Sequence, residues 1–129
     1  MPPVTKPCRL PEHAKILVVE DEALIALDLE MLLLDGGAAE VIVALSLQAA
    51  NVELTRRSDI NLILVDLHLR DGSGLDLVPT ARSRNIPIIL TTGDGNIKSE
   101  GVPHIGKPYD QTELYRLVAE VMKGAAKKA

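Results

Sequence analysis

Acidic, hydroxyl and amine side chains follow several apolar runs of this chain. Glu20 and Asp21 come directly after the run ILVV, and Asp66 comes directly after LILV. Thr92 ends the run PIILTT, and Lys107 follows the stretch VPHIG. An aliphatic strand gains no packing energy from a carboxylate at its tip. Each of these five side chains therefore either lies in solvent or takes part in chemistry.

Together these residue types suit phosphoryl transfer. Three neighbouring carboxylates repel one another unless a cation lies among them, and oxygen ligands without a His or Cys cluster favour Mg²⁺ over Zn²⁺. The metal ion, the Lys107 ammonium and a threonine hydroxyl would then stabilise the negative charge that spreads over the phosphoryl oxygens. Asp66 would be the nucleophile and would form an acyl phosphate.

These side chains can meet only if the apolar runs are parallel strands of one sheet. Five aliphatic runs predict the strands, at residues 15–20, 40–44, 60–66, 86–92 and 102–106. Helices are predicted at residues 22–34 and 47–57, from Ser73 to about Arg84, and around Leu114–Met122. Such alternation favours a parallel sheet with right-handed crossovers and helices on both faces. The carboxyl ends of its strands share one edge, where ligands bind in folds of this type.

Capping residues mark where these helices begin and end. The glycine pair at 36–37 predicts the end of the first helix, and Ser46 predicts the start of the second. Ser73 predicts the start of the third, which Pro79 must kink or shorten. Asp110 stands in a capping position before the last helix.

The composition predicts an acidic, single-domain protein of 129 residues. A net charge of −4 and only two aromatic residues exclude direct binding of nucleic acid through charge or base stacking. The single cysteine, Cys8, and the lack of an apolar segment long enough for a bilayer predict a cytoplasmic location without membrane contact. We expect a flexible leader at 1–13, one domain at 14–124 and a frayed tail at 125–129.

Four motifs, in their order along the chain, resemble the receiver domains of two-component response regulators. They read ILVVEDE, LILVDLHLRDGSG, PIILTTG and IGKP, and the resemblance extends from about Lys15 to Met122. It implies a flavodoxin-like α/β fold, with a doubly wound parallel sheet of five strands in the order 2-1-3-4-5. It also implies Mg²⁺-dependent transfer of a phosphoryl group from a sensor histidine kinase, a phosphotransfer protein or a small phosphodonor.

Receivers catalyse their own phosphorylation and dephosphorylation, but they are not classical enzymes. By this resemblance, phosphorylation switches interactions with a downstream protein target or serves a phosphorelay. The resemblance also assigns the metal site. Asp66 is the phosphoacceptor and a metal ligand, Asp21 is a metal-binding acid, and Glu20 acts on the metal through water. The backbone carbonyl of His68 is a further ligand.

Three more residues match the switch of this family. Thr92 would bond the phosphoryl group, with the neighbouring Thr91 as the alternative hydroxyl. Lys107 is the family's lysine, and its peptide bond to Pro108 is commonly cis. His104 takes the position of the switch aromatic.

The chain departs from the family pattern at two places. Arg70 stands four residues after Asp66, where most receivers have Pro, and we expect a modest change in loop shape. Only 14 residues separate Thr92 from Lys107, about two helical turns fewer than in the family. We therefore expect the family's fourth helix to be vestigial or disordered.

The first helix has more apolar surface than a sheet-covering helix needs. From Ala23 to Leu34 only Asp28 and Glu30 are polar. This surplus either packs at the helix edges or forms a surface for a homodimer or another partner.

Rival functions come from other classes. A pseudo-receiver would never carry phosphate, and the intact acid, hydroxyl and lysine set argues against it. A phosphatase of the haloacid-dehalogenase type needs a second acid two residues beyond the nucleophile, where this chain has His68. A flavodoxin-type flavin site would need an aromatic side chain placed to stack on the ring, and we expect neither of the two tyrosines to be placed in this way.

Overall fold

A five-stranded parallel sheet lies at the centre of the computed structural model, which describes residues 10–93 and 101–128, the residues after 124 by backbone alone. In chain order the strands are β1 (Lys15–Val19), β2 (Glu40–Ala44), β3 (Leu62–Asp66), the short β4 (His68–Leu69) and β5 (Gly72–Ser73), β6 (Ile88–Thr92) and β7 (His104–Gly106). β4 and β5 form a separate antiparallel hairpin, and the other five pair in parallel in the order β2-β1-β3-β6-β7. Without the hairpin strands this is the predicted order 2-1-3-4-5, so the predicted flavodoxin-like fold is confirmed.

Helices cover both faces of the sheet. They are α1 (Ala23–Asp35), α2 (Leu47–Arg56), α3 (Val78–Ser83), which follows a 3₁₀ turn at Gly74–Leu77, and α4 (Gln111–Lys128). Leu33 of α1 and Val118 of α4 lie in one apolar cluster with Leu64 of β3. Leu54 of α2 lies in a second cluster with Ile63, the preceding residue of β3. Neighbouring residues of one strand thus serve opposite cores, which is why the buried strands read as continuous aliphatic runs.

β3, β6 and β7 each begin two residues later than the sequence pattern predicts. Ile60, Ile86 and Val102 are nevertheless buried, so their apolar character serves core packing and not strand pairing. Asn61, which was predicted to belong to β3, lies before that strand. Its Oδ1 accepts a hydrogen bond from the backbone N–H of Lys15, at the start of β1, at 2.7 Å.

The predicted leader of residues 1–13 is too long, because its last residues belong to the fold. Leu10 is 2% exposed, and its N–H donates to the carbonyl of Gly36 at 3.0 Å. A Cβ on Gly36 would lie 2.7 Å from the ring of Tyr115, so glycine is needed for this close approach. Residues 1–9 lie outside the described part of the chain.

The predicted capping residues lie at the helix ends. The hydroxyl of Ser46 accepts from the N–H of Ala49 at 3.0 Å at the start of α2. A carboxylate oxygen of Asp110 accepts from the N–H of Glu113 at 3.1 Å at the start of α4. Gly37 follows α1 with a φ of 106°, a conformation that glycine adopts without strain.

The third predicted helix is divided into two pieces. The hydroxyl of Ser73 accepts from the N–H of Leu75 at 3.1 Å, but it caps the 3₁₀ turn and not an α-helix. Pro79 lies in the first turn of α3, which is only 6 residues long. Proline has no N–H to donate, so a continuous α-helix from Ser73 would lack a hydrogen bond at this position.

The connection between β6 and β7 includes residues 94–100, which lie outside the described part of the chain. The prediction of a vestigial or disordered helix falls on these residues. The next residues, 101–103, form a turn and coil. The last helix, α4, continues to Lys128. It therefore extends into the segment in which we expected fraying. No helix in the described ranges is both long and apolar enough to cross a membrane.

Ion pairs join elements at the edge of the sheet where the strands begin. A guanidinium nitrogen of Arg57 lies 2.6 Å from Glu40 Oε1 and 2.9 Å from Asp59 Oδ2, and Lys15 Nζ lies 3.2 Å from Asp59. Hydrogen bonds from Arg57 hold the pKa of the Asp59 and Glu40 carboxyls below their usual values. This network lies at the opposite edge from the strand ends that carry the predicted site.

Candidate functional site

Three acids lie together at the carboxyl edge of the sheet. Glu20 and Asp21 follow β1, and Asp66 ends β3, the neighbouring strand. One carboxylate oxygen from each of these acids lies within 4.8 Å of the others. Because Val19 and Val65 pair in register, the two strands end level with each other and present their acids side by side.

Lys107 bridges two of these acids. Its Nζ lies 2.6 Å from Oε1 of Glu20 and 2.9 Å from Oδ2 of Asp66. Its backbone N–H donates to the carbonyl of Thr92 at 2.8 Å, which joins the loop after β7 to the end of β6. The peptide bond from Lys107 to Pro108 is cis, as the family resemblance implies.

The excess of acids favours cations at this edge. Burial raises the pKa of Glu20, and the hydrogen bond from Lys107 offsets this only in part. Burial by itself would lower the pKa of the Lys107 ammonium, but its hydrogen bonds to Glu20 and Asp66 outweigh burial and raise the pKa above its usual range. Three carboxylates beside one ammonium still leave excess negative charge. An all-oxygen donor set with this charge fits a hard divalent cation such as Mg²⁺.

Asp21 is held by a residue that the sequence analysis did not assign to the site. The backbone N–H of Arg70 donates to Oδ2 of Asp21 at 2.9 Å, and Nε of Arg70 lies 3.9 Å from the same oxygen. The sequence carried a signal, because Arg70 replaces the Pro of most receivers. Proline could not donate this hydrogen bond.

The hairpin of β4 and β5 positions Arg70, and the sequence pattern did not predict it. Its turn consists of Arg70 and Asp71. The two carboxylate oxygens of Asp71 accept from the backbone N–H groups of Leu47 and Gln48 at 3.0 and 3.1 Å. These bonds lower the pKa of Asp71. The turn is therefore fixed between the first turn of α2 and Asp21.

Backbone contacts orient Asp66 and shape the loop that follows it. The N–H of His68 donates to Oδ1 of Asp66 at 3.1 Å, while Oδ2 faces Lys107. A Cβ on Gly74 would overlap the carbonyl oxygen of Asp66, so only glycine fits there. The His68 side chain is exposed, and its backbone carbonyl as a metal ligand stays a prediction.

Thr91 and Thr92 end β6 beside the acids, and both are buried. Thr91 pairs with Asp66 in register, and Thr92 extends β6 one residue beyond this pair. The choice of Thr92 over Thr91 stays a prediction. His104 is exposed on β7, and its role in a switch also stays a prediction.

A groove runs from the site to α1. Its volume is about 520 Å³, and its lining residues are Leu24, Ile25, Asp28, Leu32, Lys107, Pro108 and Tyr109. Burial raises the pKa of Tyr109, and the nearby Thr91 side chain offsets this in part. In the described part of the chain the buried Tyr109 hydroxyl makes no hydrogen bond of good geometry. Tyr109 was not predicted as a site residue, although it stands two positions after Lys107, because the burial of its hydroxyl depends on tertiary packing.

Comparison with known proteins agrees with this geometry. Residues 16–119 match the family model of the response regulator receiver domain. The cell cycle transcriptional regulator CtrA of Caulobacter vibrioides is 28% identical over 118 residues, which cover 84% of this chain and 50% of CtrA. The response regulator protein PilR of Pseudomonas aeruginosa is 31% identical over 122 residues, which cover 84% of this chain and 26% of PilR. The chain thus spans half or less of the length of these two relatives.

A solved structure has the same fold. The response regulator receiver domain protein from Clostridium thermocellum superposes with a TM-score of 0.81 at 24% identity, covering 90% of this chain and 99% of that protein. The matched residues also include the acids, the threonines and the lysine at the ends of β1, β3, β6 and β7. By sequence match over most of its length, the protein belongs to the response regulator receiver domain family.

Proposed function

We propose that this chain accepts a phosphoryl group on Asp66 and thereby switches its interactions with other proteins. One observation carries the proposal: Lys107 contacts Asp66 and Glu20, and Asp21 belongs to the same group of acids. A nucleophile, a cation-binding acid pair and a fixed ammonium are the parts that phosphoryl transfer needs. Membership of the receiver family supports the same role.

In the transfer step, a carboxylate oxygen of Asp66 attacks the phosphorus of a phosphohistidine or of acetyl phosphate. The donor's P–N or P–O bond breaks as the new P–O bond forms, and the donor leaves as imidazole, which takes up a proton, or as acetate. Lys107 stabilises the charge that develops on the phosphoryl oxygens. The N–H of His68, 3.1 Å from Oδ1, keeps the Asp66 carboxylate in one orientation.

Asp21, Asp66 and Glu20 are the side chains that would hold Mg²⁺, with the backbone carbonyl of His68 as a further ligand. Glu20 already contacts Lys107 at 2.6 Å, which supports its action on the metal through water. When bound, Mg²⁺ supplies positive charge that neutralises the oxygens of the transferring group.

Thr92 and Lys107 would convert phosphorylation into a change of conformation. The modification replaces the single negative charge of the carboxylate with nearly two on the phosphoryl group, and a change of population requires contacts that differ between the two states. Lys107 would exchange the Asp66 carboxylate for the phosphoryl group, and the Thr92 hydroxyl would donate to it. His104, exposed on β7 in the position of the family's switch aromatic, would move with Thr92.

We propose α1 as the docking surface for the protein phosphodonor, a sensor histidine kinase or phosphotransfer protein. Leu24, Leu27, Met31 and Leu34 are 82%, 51%, 60% and 47% exposed, so the apolar surplus of α1 is not packed at the helix edges. Their spacing of three, four and three residues is that of a helix-pairing seam. The groove beside Leu24 leads to Lys107, which places the seam next to the site.

The predicted homodimer would use the same apolar stripe. Asp28 and Glu30 flank the stripe on its two sides, so a second copy would bring like charges together. A partner helix with Lys or Arg beside its apolar stripe would meet opposite charges instead. Sedimentation velocity over a range of concentrations separates the two arrangements. A monomer supports docking of the phosphodonor on α1, and a dimer that Leu27→Asn dissociates supports the homodimer.

The downstream partner would be a protein target or the next member of a phosphorelay. The net charge of −4 supports a role without direct contact with nucleic acid. The single cysteine supports a cytoplasmic location. In this proposal the chain modifies and demodifies only itself, so it is not a classical enzyme.

Intact-mass spectrometry after incubation with acetyl phosphate and Mg²⁺ tests the proposal. We expect one hydroxylamine-labile phosphoryl group on the parent chain, none on Asp66→Asn, and none when EDTA replaces Mg²⁺. An unmodified parent chain would favour a pseudo-receiver. Steady release of inorganic phosphate from many unrelated phosphate esters would favour a phosphatase.

A further inference from the structure

Arg70 touches the group of acids, but the proposed phosphoryl transfer gives it no role. Its backbone N–H donates to Oδ2 of Asp21 at 2.9 Å. Its Nε lies 3.9 Å from the same oxygen. The Arg70 side chain is 86% exposed, whereas the Asp21 side chain is 14% exposed. One oxygen of a metal-binding acid thus faces a fixed donor and a solvent-exposed cationic group.

The two donors of Arg70 differ in how firmly they are held. The backbone donor belongs to the turn between β4 and β5, which Asp71 anchors to Leu47 and Gln48. The guanidinium has no such anchor, since its one ion pair among the described residues is with Asp21. The side chain can therefore leave Asp21 while the backbone bond stays in place.

A cation and the guanidinium compete for the same negative charge. Asp21 contributes one of the three carboxylates whose oxygens lie within 4.8 Å of one another. A guanidinium beside this carboxylate reduces the potential that attracts a divalent ion. Binding of the ion would in turn repel the guanidinium and release it toward solvent.

We propose that Arg70 is a positioning residue that sets the affinity of this site for divalent cations. Its backbone N–H holds the Asp21 carboxylate in place, and its guanidinium is a displaceable counter-ion that weakens cation binding. The inference rests on the proposed function, because it requires that a divalent cation binds among Glu20, Asp21 and Asp66. The Pro of most receivers offers neither of these donors.

The expected effect is small and depends on salt. Exposed ion pairs contribute little, so loss of the guanidinium should tighten cation binding about two- to fivefold at low ionic strength. Salt screens exposed charges over about 10 Å at 0.1 M, so the difference should shrink as salt is added.

Electron paramagnetic resonance of free Mn²⁺ measures the affinity directly, with no need for phosphorylation. Mn²⁺ binds the same carboxylate oxygens that suit Mg²⁺. Arg70→Gln removes the charge and retains the backbone N–H, and Arg70→Lys retains the charge. Arg56→Gln is the matched control, because Arg56 is also largely exposed to solvent, at the far end of α2, and its loss changes the net charge by the same amount.

We expect tighter Mn²⁺ binding by Arg70→Gln, near-parental binding by Arg70→Lys and Arg56→Gln, and a smaller difference in high salt. Unchanged or weaker binding by Arg70→Gln would overturn the role of Arg70, as would equal tightening by Arg56→Gln. Asp21→Asn and the acetyl phosphate assay separate this failure from failure of the proposed function. If the parent chain bound no Mn²⁺ and took up no phosphoryl group, both proposals would fall.

Discussion

The ammonium of Lys107 lies 2.9 Å from the carboxylate of Asp66, although 41 positions separate the two residues in the chain. The same ammonium contacts Glu20, so one cation balances two buried acids. Lys107→Gln would leave those acids facing each other. Without divalent cations we expect the free energy of unfolding to fall by about 1–3 kcal/mol, less than for a fully buried pair because the Lys107 side chain is 20% exposed.

Urea denaturation in EDTA measures this loss. Lys123→Gln, which removes an exposed lysine from α4, is the charge-matched control. Mg²⁺ should reduce the difference in the free energy of unfolding between Lys107→Gln and the parent, because the ion supplies the missing positive charge. An equal loss of stability in both lysine variants would show that the contact with Asp66 is unimportant.

Asp21→Asn should slow phosphorylation by acetyl phosphate about 100-fold at fixed Mg²⁺, because a bound metal ion contributes several kcal/mol to stabilisation of the transition state. The measurement is the initial rate of acyl phosphate formation. Asp35→Asn removes an equal charge from the exposed end of α1 and should leave the rate unchanged. A parental rate for Asp21→Asn would remove Asp21 from the proposed metal site.

Thr92→Ala should still accept the phosphoryl group but respond to it less. A hydrogen bond to a charged group contributes about 1.5–3 kcal/mol, so its loss should shift the two-state equilibrium roughly tenfold or more. Amide chemical shifts around Lys107 at full phosphorylation report this equilibrium. Thr92→Ser retains the hydroxyl and should therefore respond to phosphorylation as the parent does. Thr91→Val is the neighbouring control. If Thr91→Val lost the response and Thr92→Ala kept it, the assignment of the hydroxyl would be wrong.

The exposed stripe of α1 should contribute nothing to folding. Substitution of Leu27 and Met31 by Gln should change the free energy of unfolding by less than about 0.5 kcal/mol, because both side chains lie mostly in solvent. Leu29→Ala, on the buried face of the same helix, should cost about 2–5 kcal/mol. Urea denaturation measures the free energies of unfolding of the double variant, of Leu29→Ala and of the parent.

The same double variant tests docking on α1. Phosphotransfer from a phosphorylated histidine kinase should slow, while the rate with acetyl phosphate stays parental. Equal slowing with both donors would indicate damage to the site and not loss of a docking surface.

Acidification should weaken the ion-pair network at the other edge of the sheet. Hydrogen bonds from Arg57 and Lys15 hold the pKa of Asp59 below its ordinary value of 3.8. A carboxyl whose pKa is lowered by folding stabilises the protein above its unfolded pKa, and this contribution disappears as the pH falls through the folded value. Asp59→Asn should therefore be less stable than the parent at pH 7, and the difference should shrink below about pH 4.

Urea midpoints measured between pH 7 and pH 2 test this pH dependence, with Asp35→Asn as the control for loss of one acidic group. A difference between Asp59→Asn and the parent that persisted unchanged at pH 2 would argue against the network.

Local chemistry made most of the elements predictable. Ser46, Gly37 and Asp110 cap helices through bonds to residues within a few positions, and such bonds leave a signal in the sequence. The aliphatic runs predicted the strands because both faces of the sheet are covered. They predicted strand starts less well, because Ile60 and Ile86 are apolar for core packing and pair with no strand.

The sequence by itself determined the alternation of strands and helices and the polar residues at the strand ends, because these are local patterns that recur in a fixed order. The sheet order followed from the resemblance to the receiver family. Tertiary structure alone decided that Leu10 joins the core, that Asp71 anchors the hairpin to α2 and that Arg70 faces Asp21. Each of these contacts joins residues more than 20 positions apart. Their energy depends on where the chain returns in space, and no local periodicity records that position.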